Sequence, residues 1–412
     1  MNNIVERKKD ILKIVSGLDI SPTMYKNAVE KYHALANFLN DCGIEADIFP
    51  QGSFAFGTVV RPNAKDKDAG YDLDFICQVS GNRNQHTPSG LRKQVQEALE
   101  SSNIYRERLK ICGECFTIEY SDIGDIAFSI DIVPAVDESS ENKDMLKKRA
   151  EFPELIDSAI AIPKQNGERN YNWLTNNPKG FKQWFDARNK PFLDAEKMNI
   201  RRQLFDDNRR IYASIEDVPE ELERSALQRV IQILKCHRNE FYAKRKDGDE
   251  LKPISAIINT VVTRIAEGHD PACSVFDLLE YVLNELQIYS KHQNMDQRRF
   301  YNTYSIERNI FTHDGNKWYI ANPANPGDNL ADAWNSNDDI PRIFFLWVNV
   351  AYQDLVGSLS RTDSDFRVAI ENGLGSGNVK KSLDNKYCAA TMPAPSPFVR
   401  KAAAKPYRKY DF

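Results

Sequence analysis

Asp72 and Asp74 stand two residues apart in Tyr71-Asp72-Leu73-Asp74-Phe75-Ile76-Cys77. From Tyr71 to Val79, the residues Tyr71, Leu73, Phe75, Cys77 and Val79 alternate, which predicts a strand with one buried face. Asp72 and Asp74 then share the other face, with Cα atoms roughly 6.5–7 Å apart. Carboxylates held this close repel, and a divalent cation with hard oxygen ligands would neutralise them. A third carboxylate comes from Ile126-Ala127-Phe128-Ser129-Ile130-Asp131-Ile132-Val133. There Ile126, Phe128, Ile130 and Ile132 fill one face and Asp131 points to the other. Two metals on three strand carboxylates can clamp the attacking and leaving oxygens of an in-line phosphoryl displacement. Pro50-Gln51-Gly52-Ser53 lies just upstream. Gly52 would admit a triphosphate close to the backbone, and the Ser53 hydroxyl could donate to a phosphate oxygen. The plainer reading places Asp72 and Asp74 on the wet face of an edge strand. The Gly-Ser turn ahead and the Asp131 strand behind weigh against it.

Elements are needed to hold these groups. Ile4–Ser16 reads as a helix. Ser21-Pro22 reads as a cap and first turn for a helix striped by Tyr25, Ala28, Val29, Tyr32, Leu35, Ala36 and Leu39, stopped at Gly43. Ile44, Ala46 and Ile48 lead as a strand into Gly52-Ser53. Asn63–Gly70 reads as a solvated loop. Ser89 is expected to cap a helix through Leu91, Val95 and Leu99. Cys115–Tyr120 and Ile126–Val133 read as paired strands around Ser121–Gly124, and Phe152–Ile162 as one more extended element. Helices then dominate: one from Pro219, one from Pro253, then Phe276–Ile288 and Ile340–Leu359, with a hairpin at Asp314-Gly315. From Gly373 the Gly-, Ser-, Pro- and Ala-rich, then basic, sequence reads as a flexible tail.

Composition narrows the partners. Lys and Arg number 55 against 59 Asp and Glu, for a net charge of −4 in 412 residues. That argues against a surface built to coat long nucleic acid. No run approaches the ~18 apolar residues of a membrane span, and the start lacks a signal-peptide core. The 7 scattered cysteines fit a reducing cytoplasm. Cys112-Gly113-Glu114-Cys115 is a lone C-x-x-C: a pair of thiols, or half of a zinc site that lacks a second pair.

The ordered motifs Gly52-Ser53, Asp72-x-Asp74, Asp131-Ile132-Val133-Pro134, Asn177-Pro178-x-Gly180-x-x-x-Trp184-Phe185, Leu234-Lys235-x-His237-Arg238 and Asn322-Pro323-x-Asn325-Pro326 resemble the cGAS/DncV-like nucleotidyltransferases (CD-NTases) of bacterial CBASS anti-phage operons. More distantly they resemble the oligoadenylate synthetases. The resemblance implies an α+β fold, with a polymerase-β-like nucleotidyltransferase core and a C-terminal helical lobe. The expected division is 1–185 for the core, 186–372 for the helical lobe and 373–412 for the tail. It further implies that Asp72, Asp74 and Asp131 bind two Mg²⁺, or Mn²⁺, with Asp131 helping to activate the acceptor hydroxyl. Gly52 and Ser53 would hold the donor triphosphate, and Lys235 and Ser255 would grip its outer phosphates. Ser255 could equally cap a helix, Lys235 could be a solvated helix end, and His237 and Arg238 could be structural. Gln51 either touches phosphate or ribose or packs against backbone. A stacking Tyr expected after the Ser is Ala256 here.

The implied activity is a cyclic oligonucleotide synthase. It would make an adenine-containing cyclic di- or trinucleotide from ATP, alone or with another NTP, as a second messenger for a separate operon-encoded effector. The implied regulators are HORMA-type or ubiquitin-transfer-like proteins. No nucleic-acid duplex and no membrane is expected as partner. The rival readings are a linear, template-independent RNA-tailing enzyme and a catalytically inactive nucleotide-sensing module.

Overall fold

The computed structural model describes residues 2–19, 22–60, 71–120, 128–167, 170–207, 223–304, 309–314 and 317–388. A seven-stranded mixed sheet runs in the order β1 (Ala46–Pro50), β2 (Tyr71–Asn82), β5 (Phe128–Asp137), β4 (Phe116–Tyr120) and β3 (Leu109–Ile111). Off this path β6 (Ile160–Gln165) pairs with β5, and β7 (Tyr171–Asn176) pairs with β6. β2 and β5 are parallel, and every other pairing in this sheet is antiparallel.

The alternating residues Leu73, Phe75, Cys77 and Val79 of β2 and Ile130 and Ile132 of β5 are buried against Leu35 and Leu39 of the helix Pro22–Asp41. Leu91, Val95 and Leu99 of the helix Pro88–Ser101 join the same core. The other face carries Asp74 and Asp131 at one end. At the other it is covered, where Ile76, Ala135, Ile160 and Ile162 form a small apolar cluster. The predicted period of two thus holds, but the second face is not uniformly wet.

The remaining helices share one large core that begins with Ile11, Ile14 and Val15 of Asn2–Ser16 and ends at Val379 and Leu383. Its centre is the helix Ala226–Ala243, with Leu227, Val230, Ile231 and Leu234 fully buried. The hairpin expected at Asp314-Gly315 forms between Thr312–Asp314 and Lys317–Tyr319. Among the described residues no helix is long and apolar enough to cross a membrane.

Several expectations are corrected. Thr87, not Ser89, caps the helix Pro88–Ser101, its hydroxyl accepting from Gly90 N at 3.1 Å. Phe152–Ile162 is not continuously extended: Pro153–Ser158 is a 3₁₀ helix and the strand begins at Ile160. The helix expected from Pro219 begins at Ala226, where Ser225 and Gln228 cap each other's backbone; residues 208–222 lie outside the described residues. The helix expected over Ile340–Leu359 ends at Leu355. The boundary expected at 185 falls inside the helix Pro178–Asp207.

The tail does not start at 373. Helices Asp363–Leu374 and Ser376–Leu383 bury Phe366, Ile370, Leu374, Val379 and Leu383. Residues 389–412 lie outside the described residues, as do Ser21, the 61–70 loop and the 121–127 turn.

The two ends of the described chain clasp each other. Arg7, only 2% exposed, donates to Leu359 O at 2.8 Å and Arg361 O at 2.7 Å, and lies over the Phe366 ring at 4.8 Å. Lys386 pairs with Glu6 at 2.8 Å and Asp10 at 2.6 Å, and the Tyr387 hydroxyl donates to Asp10 at 2.7 Å.

Candidate active site

Asp74 and Asp131 are register partners on the parallel strands β2 and β5, as are Asp72 and Ser129 one step away. The three aspartates therefore occupy adjacent positions of one sheet face, as alternation predicted; the Asp72 side chain lies outside the described residues. The Asp131 carboxylate accepts a hydrogen bond of 2.6 Å from the Thr117 hydroxyl on β4, where the two residues are also register partners. Thr117 was missed in the sequence, because only the pairing of β4 with β5 brings it to Asp131.

Gly52 opens a single helical turn, Gly52–Ala55, at the end of β1. Gln51 N donates to Asp74 O at 2.8 Å, tying the turn to β2. Gly52 has φ +63°, and a β-carbon there would collide with the Asp74 carboxylate. The glycine serves the carboxylate's position as well as any approach of a ligand. Gln51 and Ser53 are half-buried at the same corner.

The chain after this turn is fastened to the helical core. Phe56 inserts beside Phe181 and Phe185, with ring centroids at 5.3 and 5.2 Å. This gives Phe185 of the Trp184-Phe185 motif a physical role: it helps seat the loop that follows Gly52-Ser53. One stripe of the helix Ala226–Ala243 then holds the loop's carbonyls. Gln228 donates to Phe56 O at 2.8 Å, Gln232 to Val59 O at 2.9 Å and Lys235 to Thr58 O at 3.2 Å. Residues 228, 232 and 235 follow the helical repeat, and all three are buried polar groups. That spacing on an otherwise apolar helix was the signal available in the sequence for Gln228 and Gln232.

Lys235 is 5% exposed, so it is not a solvated helix end. Burial pulls its ammonium down to about 7, the neighbouring Arg238 adds to this, and Asp74 opposes it. Its observed partner is the Thr58 carbonyl, in the loop that follows the Gly52 turn. Ser255 is placed differently. It is the first residue of the helix Ser255–Ala266, makes no side-chain cap, and accepts from Arg238 Nη1 at 3.2 Å. Arg238 also donates to Pro253 O at 3.0 Å. His237 is buried between Trp347, whose Nε1 donates to His237 Nδ1 at 3.1 Å, and Asp354 at 3.3 Å. His237 and Arg238 are thus held in structural contacts.

The two Asn-Pro motifs meet each other. Asn177 Nδ2 donates to Leu155 O at 2.8 Å and Ala324 O at 2.9 Å, and its Oδ1 accepts from Ser158 and Gly180 N. Asn325 Nδ2 donates back to Thr175 O at 3.0 Å.

Among the described residues no three His, Cys, Asp or Glu side chains form a metal cage. Two of the three expected carboxylates are among them, and their chemistry fits a hard divalent cation: half-buried oxygens on neighbouring strands, with like charges that a cation would relieve. The Cys112 and Cys115 thiols lie beside Thr117 rather than near a second pair, and burial and then Asp131 push Cys115 up to about 12.

Residues 46–133, which span β1, β2, β3, β4 and the first half of β5, match the family model described as cyclic GMP-AMP synthase DncV-like, nucleotidyltransferase domain. Over residues 46–133 the chain is thus similar to a DncV-like nucleotidyltransferase domain. A relative named c-di-GMP synthase, from Roseivirga ehrenbergii, is 24% identical over 345 residues, covering 82% of this chain and 76% of its own. The Bradyrhizobium diazoefficiens CD-NTase CdnG in complex with GTP aligns at a TM-score of 0.64 and 18% identity, over 92% of this chain and 98% of that one. The CdnC:HORMA-deltaN complex of E. coli MS115-1 aligns at 0.55 and 14%, over 90% and 97%. At these identities the likeness establishes the fold. The fold is α+β, a polymerase-β-like core with a helical lobe.

Proposed function

We propose that the protein is a cyclic oligonucleotide synthase that joins NTPs into a second messenger in anti-phage defence. One observation carries the reading: Asp74 and Asp131 are register partners beside Gly52, and the buried Lys235 is held against the loop after Gly52 within the influence of Asp74. A carboxylate pair, a close-approach glycine and a buried ammonium are what a donor triphosphate requires.

In this reading Gly52 and Ser53 receive the donor's phosphates, with Gln51 at the same corner. Lys235 leaves the Thr58 carbonyl to pair with the outer phosphates, charge for charge. Ser255, committed to Arg238, acts on phosphate through that arginine or not at all. Asp131 takes the proton of the acceptor hydroxyl as that oxygen bonds to the donor's α-phosphorus, the α–β bridge breaks and pyrophosphate leaves. Asp72, Asp74 and Asp131 would hold two Mg²⁺, or Mn²⁺, which when bound would neutralise the charge developing on the transferred phosphoryl group. A second turnover of the same kind in the same cleft closes the ring.

Adenine was the base implied by the motif resemblance. The name of the Roseivirga relative and the GTP in the Bradyrhizobium structure favour guanine, and we carry GTP as the first substrate to test. The HORMA partner of the E. coli relative supports a regulator of that type, with the ubiquitin-transfer-like kind as the alternative.

The test is incubation of the purified protein with labelled NTPs, singly and in pairs, with Mg²⁺, then phosphatase treatment and mass spectrometry. A small phosphatase-resistant product is expected. Linear ladders on added RNA would establish the tailing enzyme instead, and no turnover under any pairing would favour the sensing module.

A further inference from the structure

The C-x-x-C turn is a motif singled out in the sequence that the proposed chemistry does not use. It is the tip of the β3–β4 hairpin, closed by Cys112 N donating to Cys115 O at 3.1 Å. Arg92, 3% exposed and lying over the Phe116 and Tyr171 rings at 4.4 and 5.0 Å, donates to the Cys112 carbonyl and fixes the turn to the helix Pro88–Ser101. Both sulfurs converge on one oxygen: Cys112 Sγ is 3.6 Å and Cys115 Sγ 3.9 Å from Thr117 Oγ1. A threonine hydroxyl has one hydrogen to give and two lone pairs. An ionised carboxylate only accepts, so the Thr117 hydrogen goes to Asp131 Oδ1, at 2.6 Å. The Oγ1 lone pairs then face the thiols, which are weak S–H donors.

We propose that Thr117 is a positioning residue for Asp131, and that the Cys112–Cys115 turn holds its hydroxyl in the donating orientation. A carboxylate that must meet a cation or take a proton is useful only at one rotation about its Cβ–Cγ bond. A hydrogen bond to one oxygen sets that rotation and leaves the carboxylate's plane fixed before any ligand arrives. The proposal rests on Asp131 being a working carboxylate of the nucleotidyltransferase site. It goes beyond that reading by giving Thr117 and both cysteines a place in it.

The experiment compares Thr117→Val, Thr117→Ser and Cys112→Ala/Cys115→Ala with the wild-type chain. Mn²⁺ binding in the presence of a non-hydrolysable GTP analogue is followed by electron paramagnetic resonance, and turnover against Mn²⁺ concentration is measured in parallel. Valine suits a strand and keeps the shape. Thermal unfolding checks the fold, and Thr117→Ala removes the same hydroxyl should valine pack badly. Thr117→Val should weaken Mn²⁺ binding about tenfold. Serine, which restores the donor, should return it to within about threefold, and the double cysteine variant should show a smaller loss in the same direction. Wild-type Mn²⁺ affinity in Thr117→Val overturns the proposal. So does equal impairment in Thr117→Ser, which would make the methyl group, not the hydroxyl, the contribution. If the wild type binds Mn²⁺ yet releases no cyclic product, the proposed function fails while this comparison still decides the role of Thr117.

Discussion

The Asp74 carboxylate occupies the space that a β-carbon on residue 52 would need. Gly52 also sits at φ +63°, where L side chains are strained. Gly52→Ala should therefore cost about 1–3 kcal/mol in stability and displace the carboxylate, lowering turnover about a hundredfold. In the double variant with Asp74→Ala the steric share disappears, so the two stability losses should fall short of additive by at least about 0.5 kcal/mol. Strict additivity in urea unfolding would show that the two residues do not compete for space.

Asp72→Asn with Asp74→Asn should abolish turnover and leave the fold intact. Asparagine keeps the volume and removes the negative charge that a cation requires. Thermal unfolding at or above the wild-type midpoint is expected, since like-charge repulsion is relieved. Wild-type synthesis by this variant in Mg²⁺ would remove both residues from the site.

Lys235 gives a pH signature. Its folded-state value, lowered to about 7 from 10.5, is the depressed case. The stability linked to it is complete above the ordinary lysine range and is lost as pH falls through about 7. A triphosphate stabilises the ammonium, so NTP binding at pH 8 should take up as much as about one proton per site. Calorimetry in buffers of different ionisation enthalpy reads this directly. Lys235→Met should abolish the uptake and weaken NTP use about ten- to hundredfold. Equal uptake by both proteins would assign the proton to another group.

Asn177 uses both amide hydrogens and its oxygen on three segments of chain, at Leu155, Ala324, Ser158 and Gly180. Asn177→Ala takes the side-chain donor from Ala324 O, leaves Leu155 O to the Ser158 hydroxyl, and should cost about 1–3 kcal/mol. Asn177→Asp should be no better, because a carboxylate cannot donate to Leu155 O or Ala324 O. An unchanged urea midpoint for either variant would show that the junction of the two Asn-Pro motifs contributes little.

What could be read from the sequence followed the range of the physics behind it. Alternation acts over a few residues, and it placed Asp72, Asp74 and Asp131 on one face. Caps are local too, yet Ser89 was chosen where Thr87 with Pro88 at the first helical position obeys the rule that Ser21-Pro22 suggested. Composition misled at Gly373, where small residues read as a tail while Phe366, Ile370, Leu374, Val379 and Leu383 kept a helical spacing that is buried. Pro191, inside Pro178–Asp207, does not end that helix. Partnerships set by register or by packing between distant segments left no local trace. Thr117 meets Asp131 only because β4 runs antiparallel to β5, and Gln228 and Gln232 meet the 56–59 loop only because Phe56 is buried beside Phe181 and Phe185.

The clasp between Arg7, Asp10 and the 359–387 segment sets the order in which this protein can be finished. The Arg7 contact with Leu359 spans 352 residues of chain. At about 5–20 residues per second of synthesis, roughly 20–70 s separate the making of Arg7 from that of its partners at 359–387. The helix is thus completed in its clasp long after it is made. Its apolar stripe of Ile11, Ile14 and Val15 is the surface a ribosome-associated chaperone would meet first. A chain lacking residues 359–387 would leave Arg7 and Asp10 without these partners, and the helix Asn2–Ser16 with only its contacts to segments such as the helix Ala226–Ala243, however well the sheet had formed.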